Sequence, residues 1–254
     1  MRLLCLHGLG NSQIFKAQTG RYIVTIHDPQ STNQFINEHP IQAAIRYELG
    51  DSHDYEFVEG CVPWSMAPET KPHHPTTSLS PTTTFTYYNP TSPPSIHRAL
   101  TDLQSYLETE GPFDGLIGFS IGASLAASFI AHKPAAELPV KCAILISPAP
   151  PVCPLALNQG EGDIRVLDPL VDGEVIEIPT AVVWGSEDGF LEAYGGGSVV
   201  GLCRRGKVVE YVHGGGHEVP GSGGVGGLSG TVKMIRRVID MVRREEEEGE
   251  EVDG

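Results

Sequence analysis

A serine flanked by glycines stands where a nucleophile could be exposed. Residues 118–122 read Gly-Phe-Ser-Ile-Gly, after an apolar run at 115–117 and before a run rich in alanine and leucine. This order predicts a buried strand, a sharp turn and a helix. The turn lifts the hydroxyl above the sheet, and the helix N-terminus faces developing negative charge. Ser120 is therefore the candidate nucleophile for attack on a carbonyl carbon.

Two histidines compete for the role of the base that a serine nucleophile needs within hydrogen-bond reach. His213 and His217 follow the last predicted strand and are separated by three glycines. His217 is preferred because the flexible turn lets its ring reach over the sheet edge, whereas a polar core or cap role suffices for His213. Their spacing also fits a metal-binding pair, but three glycines disfavour the helix that such a pair needs, and no metal site is expected.

A carboxylate is expected behind the histidine, where it fixes the imidazole tautomer and stabilises the imidazolium. Glu187 and Asp188 both follow the predicted strand 180–184, and only one of two neighbours can face inward. Asp188 is favoured because it stands at the loop apex before Gly189. Three other aspartates are expected to cap or solvate the preceding connection: Asp163, Asp168 and Asp172.

Backbone N–H groups at two turns are the candidate oxyanion donors. One is Ile121, directly after the nucleophile, and the other is Leu9 in the turn His-Gly-Leu-Gly at 7–10, with Gly10 as the alternative. A plain turn at the end of a strand is the other interpretation of residues 7–10.

The alternation of strand-like and helix-like segments predicts an α/β fold, a mainly parallel sheet with helices on both faces. Helices are expected at 95–110, 121–132 and 232–242 from their apolar periodicity. The predicted strands are 2–6, 55–59, 115–119, 142–146, 180–184 and 207–212.

A single domain is expected over residues 1–244, followed by an acidic, disordered tail at 245–254 that reads EEEEGEEVDG. Residues 63–94 are rich in proline, threonine and serine, and a connection of this length is typical of a lid or pocket wall. Its aromatic residues are the candidate substrate-pocket residues: Trp64, Phe85, Tyr87 and Tyr88.

The composition excludes several classes of partner. The chain of 254 residues has a formal net charge of −15, which argues against nucleic acid or an anionic membrane surface as its main partner. No apolar stretch approaches the roughly 18 residues that a spanning helix needs. Five scattered cysteines are typical of free thiols in a reducing compartment, so a cytoplasmic location is expected.

Five motifs occur here in the same order as in a known family. LCLHGLGNSQIF, YEFVEG, FDGLIGFSIGASLAA, WGSEDGF and HGGGHEVP together resemble the FSH-type serine hydrolases, small fungal α/β-hydrolases. The resemblance implies a triad at Ser120, Asp188 and His217 and no cofactor. It also implies esterase or thioesterase activity on a medium-sized acyl group. Several members accompany polyketide synthases, so a small acyl ester or a carrier-bound thioester is the expected substrate and such a synthase a candidate partner.

Three features depart from the family pattern. Members often carry glutamine where Ile121 stands, and the stretch 221–230 after His217 is unusually rich in glycine. Residues 20–42 interrupt what is usually one helix. Joining the two sides of the insertion restores an amphipathic pattern of Ile14, Phe15, Gln18, Ala44, Ile45 and Leu49. A translated retained intron and a genuine surface insertion both explain residues 20–42, and sequencing of the transcript distinguishes them.

Two other functions remain open at this point. The insertion and the glycine-rich stretch are compatible with a catalytically impaired binding module that keeps the hydrolase fold. A peptidase with the same triad is less favoured, because nothing in the sequence marks a peptide-binding edge or an access-restricting domain.

Overall fold

Six parallel strands form the central sheet of a computed structural model, which describes residues 1–19, 45–64, 84–157, 164–189, 196–221 and 227–253. In all, the described residues form eight strands: β1 (Arg2–Leu6), β2 (Asp54–Val58), β3 (Val62–Trp64), β4 (Thr84–Thr86), β5 (Gly115–Phe119), β6 (Cys142–Ile146), β7 (Thr180–Gly185) and β8 (Val208–His213). The sheet order is β2-β1-β5-β6-β7-β8, and each pairing in it is parallel. Strands β3 and β4 form a separate antiparallel pair.

Helices cover both faces of this sheet. They are α1 (Ser12–Thr19), α2 (Ile45–Leu49), α3 (Pro93–Glu110), α4 (Ile121–Ile130), α5 (Pro154–Leu157), α6 (Pro169–Asp172), α7 (Gly196–Leu202) and α8 (Leu228–Asp253), with a short 3₁₀ turn at Ala135–Glu137. Among the described residues, no helix combines the length and the apolar character that crossing a bilayer requires.

The alternation of side chains along the strands divides the core in two. Leu4 and Leu116 point to the face covered by α3 and α4, where they join Phe129 in one buried cluster. Leu3 and Ile117 point to the opposite face, which is covered by α1, α2 and α8. Because both faces are buried, the central strands are apolar along their whole length, and every residue of β6 is buried. The predicted parallel α/β fold is confirmed.

The acidic tail was predicted to be disordered, and this prediction is wrong for residues 245–253, which continue α8. Glutamate is a good helix former, and α8 already has a buried apolar face that anchors it. Two lysines on the sheet side pair with the first glutamates of the run. Lys207 Nζ lies 3.1 Å from Glu245, and Lys141 contacts Glu246. These contacts offset part of the repulsion between like charges along the run.

Strands β3 and β4 occur inside the connection that was predicted only as a lid or pocket wall. The sequence signal is weak because each strand has three residues. Residues 65–83 of that connection lie outside the described residues.

The helices on either side of the insertion share one buried cluster. Phe15 of α1 packs there with Ile45 and Leu49 of α2. Arg46 also donates to the carbonyl of Lys16 at 2.9 Å, near the end of α1. These contacts agree with the amphipathic pattern that links the two segments, while residues 20–42 themselves lie outside the described residues.

Candidate active site

Ser120 occupies a strained turn between β5 and α4. Its φ and ψ angles are 53° and −117°, a conformation that side-chain-bearing residues rarely adopt. The two flanking glycines make this turn possible because no Cβ fits at either position. A Cβ on Gly118 would lie 2.5 Å from the Cα of Ala123, and one on Gly122 would lie 2.4 Å from the carbonyl oxygen of Leu6. The Ser120 N–H donates to the carbonyl of Ile146 at 3.0 Å, which ties the turn to β6.

Ser120, His217 and Asp188 form a continuous chain of hydrogen bonds. The Oγ of Ser120 lies 2.9 Å from Nε2 of His217, and Nδ1 of His217 lies 2.8 Å from Oδ2 of Asp188. A carboxylate only accepts, so Nδ1 carries the imidazole proton and Nε2 is left to accept the serine hydroxyl proton. The Asp188 side chain is fully buried, whereas that of His217 is one-quarter exposed. The ring of Phe119 packs against His217 with centroids 5.2 Å apart.

The acid and the base are carried by loops that follow adjacent strands. Gly185 of β7 pairs with His213 of β8, and just beyond that pair the Ser186 N–H donates to the His213 carbonyl at 2.7 Å. The Glu187 N–H donates to the carbonyl of Gly215 at 3.0 Å. This pairing buries Asp188 toward the histidine loop and leaves the Glu187 side chain in solvent. Of the two carboxylates considered, the structure therefore brings Asp188 to His217.

The turn after β1 lies directly against the nucleophile. A Cβ on Gly8 would lie 3.2 Å from the Cβ of Ser120 and 2.8 Å from the ring of Phe119. Leu9 is the next residue after Gly8, and its side chain is exposed. Ile121 is the first residue of α4, where the N–H has no acceptor within the helix. Ile121 is thus the chain neighbour of Ser120, and Leu9 is the chain neighbour of Gly8, which lies against Ser120.

Gly10, the alternative donor to Leu9, has another partner. Its N–H donates to the carbonyl of Phe85 at 3.2 Å, and the Phe85 N–H donates back to the Gly10 carbonyl at 2.6 Å. This bridge attaches the turn after β1 to β4 and occupies the Gly10 donor. Leu9 is therefore the better candidate of the two.

A buried polar network that the sequence did not reveal supports the same turn. Gly60 donates to Nε2 of His7 at 2.9 Å, and Nδ1 of His7 lies 2.5 Å from the carbonyl of Gly8. Burial lowers the pKa of His7, and the hydrogen bond to the Gly8 carbonyl and the Glu59 carboxylate, whose Oε1 lies 3.0 Å from Nε2, oppose this shift only in part. Glu59 accepts from the hydroxyl of Ser12 at 2.7 Å and also from its N–H. The sequence does contain one signal for this network. It is Glu59, a charged residue that stands directly after β2 in the motif YEFVEG.

The four aromatic residues predicted to line a pocket occupy different environments. Trp64 and Phe85 lie half-buried in the β3–β4 pair, beside the turn after β1. The Tyr87 hydroxyl donates to the carbonyl of Val58 at 2.9 Å and accepts from the His7 N–H at 2.8 Å. Tyr88 is buried in the core, where its hydroxyl lies 2.9 Å from Oγ of Ser124. The two tyrosine hydroxyls therefore have structural partners.

One group of metal-ligand side chains occurs among the described residues, away from Ser120. Donor atoms of His132, Cys153 and Asp172 lie within 4.8 Å of one another. The guanidinium of Arg165 already lies among them, 2.7 Å from Sγ of Cys153 and 2.7 and 2.8 Å from the two carboxylate oxygens of Asp172. Arg165 also lowers the pKa of Asp172 to about 2. Because the arginine supplies the positive charge, these residues do not fit a metal ion.

Three aspartates of this connection were expected to cap or solvate it. Asp168 caps α6 by accepting from the Leu170 N–H at 2.9 Å. For Asp172 the expectation is wrong, because its nearly buried carboxylate pairs with Arg165. Asp163 lies outside the described residues.

Comparison with known proteins places the chain among serine hydrolases. A family model described as "Serine hydrolase (FSH1)" matches residues 1–224. Esterase FPY3 of Fusarium mangiferae is 34% identical over 224 residues, which cover 87% of this chain and 88% of that protein. Esterase OVCA2 of Bos taurus is 29% identical over 229 residues, covering 87% of this chain and 89% of that protein.

A solved structure is similar in fold at low sequence identity. The carboxylesterase from Mesorhizobium loti superposes with a TM-score of 0.53 at 15% identity, covering 94% of this chain and 88% of that one. At this identity the likeness bears on the fold alone.

Proposed function

The chain belongs to the FSH1 serine hydrolase family, and from this membership and the site geometry we propose that it cleaves esters or thioesters through a Ser120–His217–Asp188 triad. The observation that carries the proposal is the hydrogen-bonded chain from the Ser120 hydroxyl to the buried Asp188 carboxylate, with links of 2.9 and 2.8 Å. Each atom in this chain has the donor or acceptor role that acyl transfer requires.

In the acylation step, Ser120 Oγ attacks the carbonyl carbon while Nε2 of His217 takes its proton. The imidazolium that forms is stabilised by Asp188, whose carboxylate is shielded from water. His217 then donates the proton to the leaving alkoxide or thiolate, and the acyl group remains on Ser120. In the second step His217 removes a proton from water, and the resulting attack releases the acid and restores the serine.

The backbone N–H groups of Leu9 and Ile121 hold the negative oxygen of the tetrahedral intermediate. Gly8 supports this assignment because its close approach to Ser120 brings the neighbouring Leu9 peptide to the reacting centre. In other serine hydrolases, removal of one oxyanion-hole donor raises the barrier by about 2.7–4 kcal/mol.

For the substrate we propose a medium-sized acyl group, consistent with a role in secondary metabolism such as polyketide biosynthesis. Trp64 and Phe85 are the proposed pocket residues, because the bridge between Phe85 and Gly10 holds their strands beside the turn that carries Leu9. A small-molecule ester and a carrier-bound thioester presented by a polyketide synthase share this acyl chemistry and differ in the leaving group. The five cysteines are free thiols, which supports a cytoplasmic location.

The test is hydrolysis of p-nitrophenyl esters of increasing chain length, with N-acetylcysteamine thioesters of the same acyl groups beside them. Wild type, Ser120→Ala and Ser105→Ala are compared, since Ser105 is an exposed serine of α3 with no role in the proposed mechanism. We expect Ser120→Ala to lose several orders of magnitude in kcat and Ser105→Ala to behave as wild type. Equal activity of wild type and Ser120→Ala would refute the triad.

Fluorophosphonate labelling separates the hydrolase from the binding module considered at the sequence level. The probe reacts with an activated serine and does not depend on the acyl group. If wild type is labelled but hydrolyses no ester, the proposed substrate class is wrong, whereas the activated serine is present.

A further inference from the structure

His213 lies beside the proposed site and takes no part in the proton transfers described above. It is the last residue of β8, and its side chain is 3% exposed. His217, four residues later, contacts Ser120 instead. The function of a buried histidine at this position therefore needs a separate explanation.

The ring of His213 binds the backbone of the turn that carries His217. Its Nδ1 accepts a hydrogen bond from the N–H of Gly215 at 3.1 Å. The carbonyl of the same residue, Gly215, accepts from Glu187 at 3.0 Å, next to Asp188. One glycine is thus held from the histidine side and from the acid side. The His213 ring therefore helps to hold the loop that carries His217 against the loop that carries Asp188.

The three glycines between the two histidines make such a link necessary. Glycine loses more conformational entropy on ordering than other residues, so a turn of three has many competing conformations. At Gly215 an added Cβ would displace the flexible end of the Glu218 side chain, 2.3 Å away, and would lie 3.0 Å from Nδ1 of His213. Contacts from outside the turn must therefore select the conformation that points His217 at Ser120.

The electronic state of the His213 ring fits an acceptor role. Burial lowers its pKa, and the two carboxylates that face it, Glu218 and Asp188, oppose this shift only in part. A neutral ring that accepts at Nδ1 carries its proton on Nε2. That Nε2 is buried and finds no hydrogen-bond partner among the described residues. Burying a donor without a partner costs free energy, so stability does not explain why a histidine stands at position 213.

We infer that His213 is a positioning residue for the triad, whose Nδ1 holds the Gly215 backbone so that His217 points at Ser120 and Asp188. The inference rests on the proposed function, because positioning matters only if His217 is the base. Loss of the link is expected to misplace the His217 ring without removing any group that touches substrate. The chemical step is therefore expected to slow while substrate binding is retained.

The experiment compares three replacements that separate the acceptor atom from the space the ring fills. His213→Asn places an amide oxygen near the position of Nδ1, His213→Gln places its amide near Nε2, and His213→Leu fills the space with no acceptor. We expect kcat to fall about tenfold to a hundredfold in the Leu and Gln variants, with KM within about threefold of wild type. We expect the Asn variant to stay within about threefold of wild type in both constants.

Two further readouts distinguish positioning from folding. The first is the melting temperature of each variant. A space-filling role would make activity follow melting temperature, with the Leu variant near wild type. The second is the proton resonance of the His217 Nδ1–H, which is bonded to Asp188. We expect this far-downfield signal to persist in the Asn variant and to broaden or vanish in the Leu variant.

The outcomes are distinguishable from failure of the proposed function. If wild type is active, the positioning role would be overturned by a His213→Leu variant with wild-type activity. A His213→Asn variant as impaired as His213→Leu would overturn it as well. A wild type with neither hydrolysis nor fluorophosphonate labelling would overturn the proposed function. In that case the His217 resonance still tests whether His213 orients the ring.

Discussion

Asp188 is the buried end of the hydrogen-bonded chain that begins at the Ser120 hydroxyl. Its neighbour Glu187 has the same charge and stands one residue away, yet its side chain is in solvent. The difference arises from the loop after β7, whose backbone bonds to the histidine loop direct one of the two side chains inward. This pair therefore offers a matched comparison of a catalytic and a merely nearby carboxylate.

Asp188→Asn is expected to lower kcat about 10⁴-fold, as loss of the triad carboxylate does in other serine hydrolases, because the amide no longer holds the His217 proton on Nδ1. Glu187→Gln removes the same charge at the exposed position and should leave kcat within about twofold of wild type. Steady-state ester hydrolysis measures both. A similar loss in both variants would indicate a general electrostatic effect and contradict the specific role of Asp188.

The turn between β5 and α4 shows how the neighbouring strands and helix hold the nucleophile in place. The strand and the helix approach so closely at the turn that glycine is required on both sides of Ser120. The nucleophile is therefore held in an unfavourable backbone conformation by packing on three elements, β1, β5 and α4. The packing of these elements, and not the serine itself, determines that the Ser120 hydroxyl is accessible.

Gly122→Ala is expected to destabilise the fold by about 2–4 kcal/mol and to reduce activity, because the new methyl group would overlap the carbonyl of Leu6. Gly249→Ala is the matched control in α8, where a Cβ meets nothing within 4 Å. There the same substitution should stabilise the helix by about 0.5–1 kcal/mol. Urea unfolding followed by circular dichroism gives both values, and a neutral Gly122→Ala would contradict the packing described for the turn.

At the scale of the whole molecule, an excess of acid side chains is balanced locally by a few arginines and lysines. Arg165 and Asp172 illustrate this in the connection between β6 and β7, where a nearly buried carboxylate is bound by both arms of one guanidinium. Because the pKa of Asp172 is lowered to about 2, its charged form stabilises the folded state. That contribution is complete above the unfolded-state pKa of about 4 and is lost as the pH falls toward 2.

Asp172→Asn is expected to lower the free energy of unfolding at pH 7 by about 1–2 kcal/mol, a value reduced for the partial exposure of Arg165. The deficit should shrink between about pH 4 and pH 2, where the wild-type carboxylate is protonated. Asp102→Asn, the control, removes an exposed carboxylate paired with Arg98 and should change the free energy of unfolding at pH 7 by less than about 1 kcal/mol. A deficit that stays constant down to pH 2 would contradict the ion pair as its cause.

Much of this architecture follows from patterns in the sequence, because short continuous apolar runs identify strands buried on both faces and apolar residues at helical spacing identify the helices. The six sheet strands and helices α3, α4 and α8 were predicted to within a few residues at most ends. The bridge between Gly10 and Phe85 was not, since it joins residues 75 positions apart through backbone atoms that no side-chain pattern records. The acidic end of α8 was missed for a related reason, because Lys141 and Lys207 reach it only in the folded chain.

The most direct test of the central claim is to map the fluorophosphonate adduct by mass spectrometry of the digested full chain. A single adduct on Ser120 is expected, absent from Ser120→Ala and formed far more slowly in His217→Ala, because the hydroxyl loses its base. Ser105→Ala should be labelled at the wild-type rate. No adduct at all, or an adduct on another serine that survives Ser120→Ala, would contradict the assignment of Ser120 as the activated nucleophile.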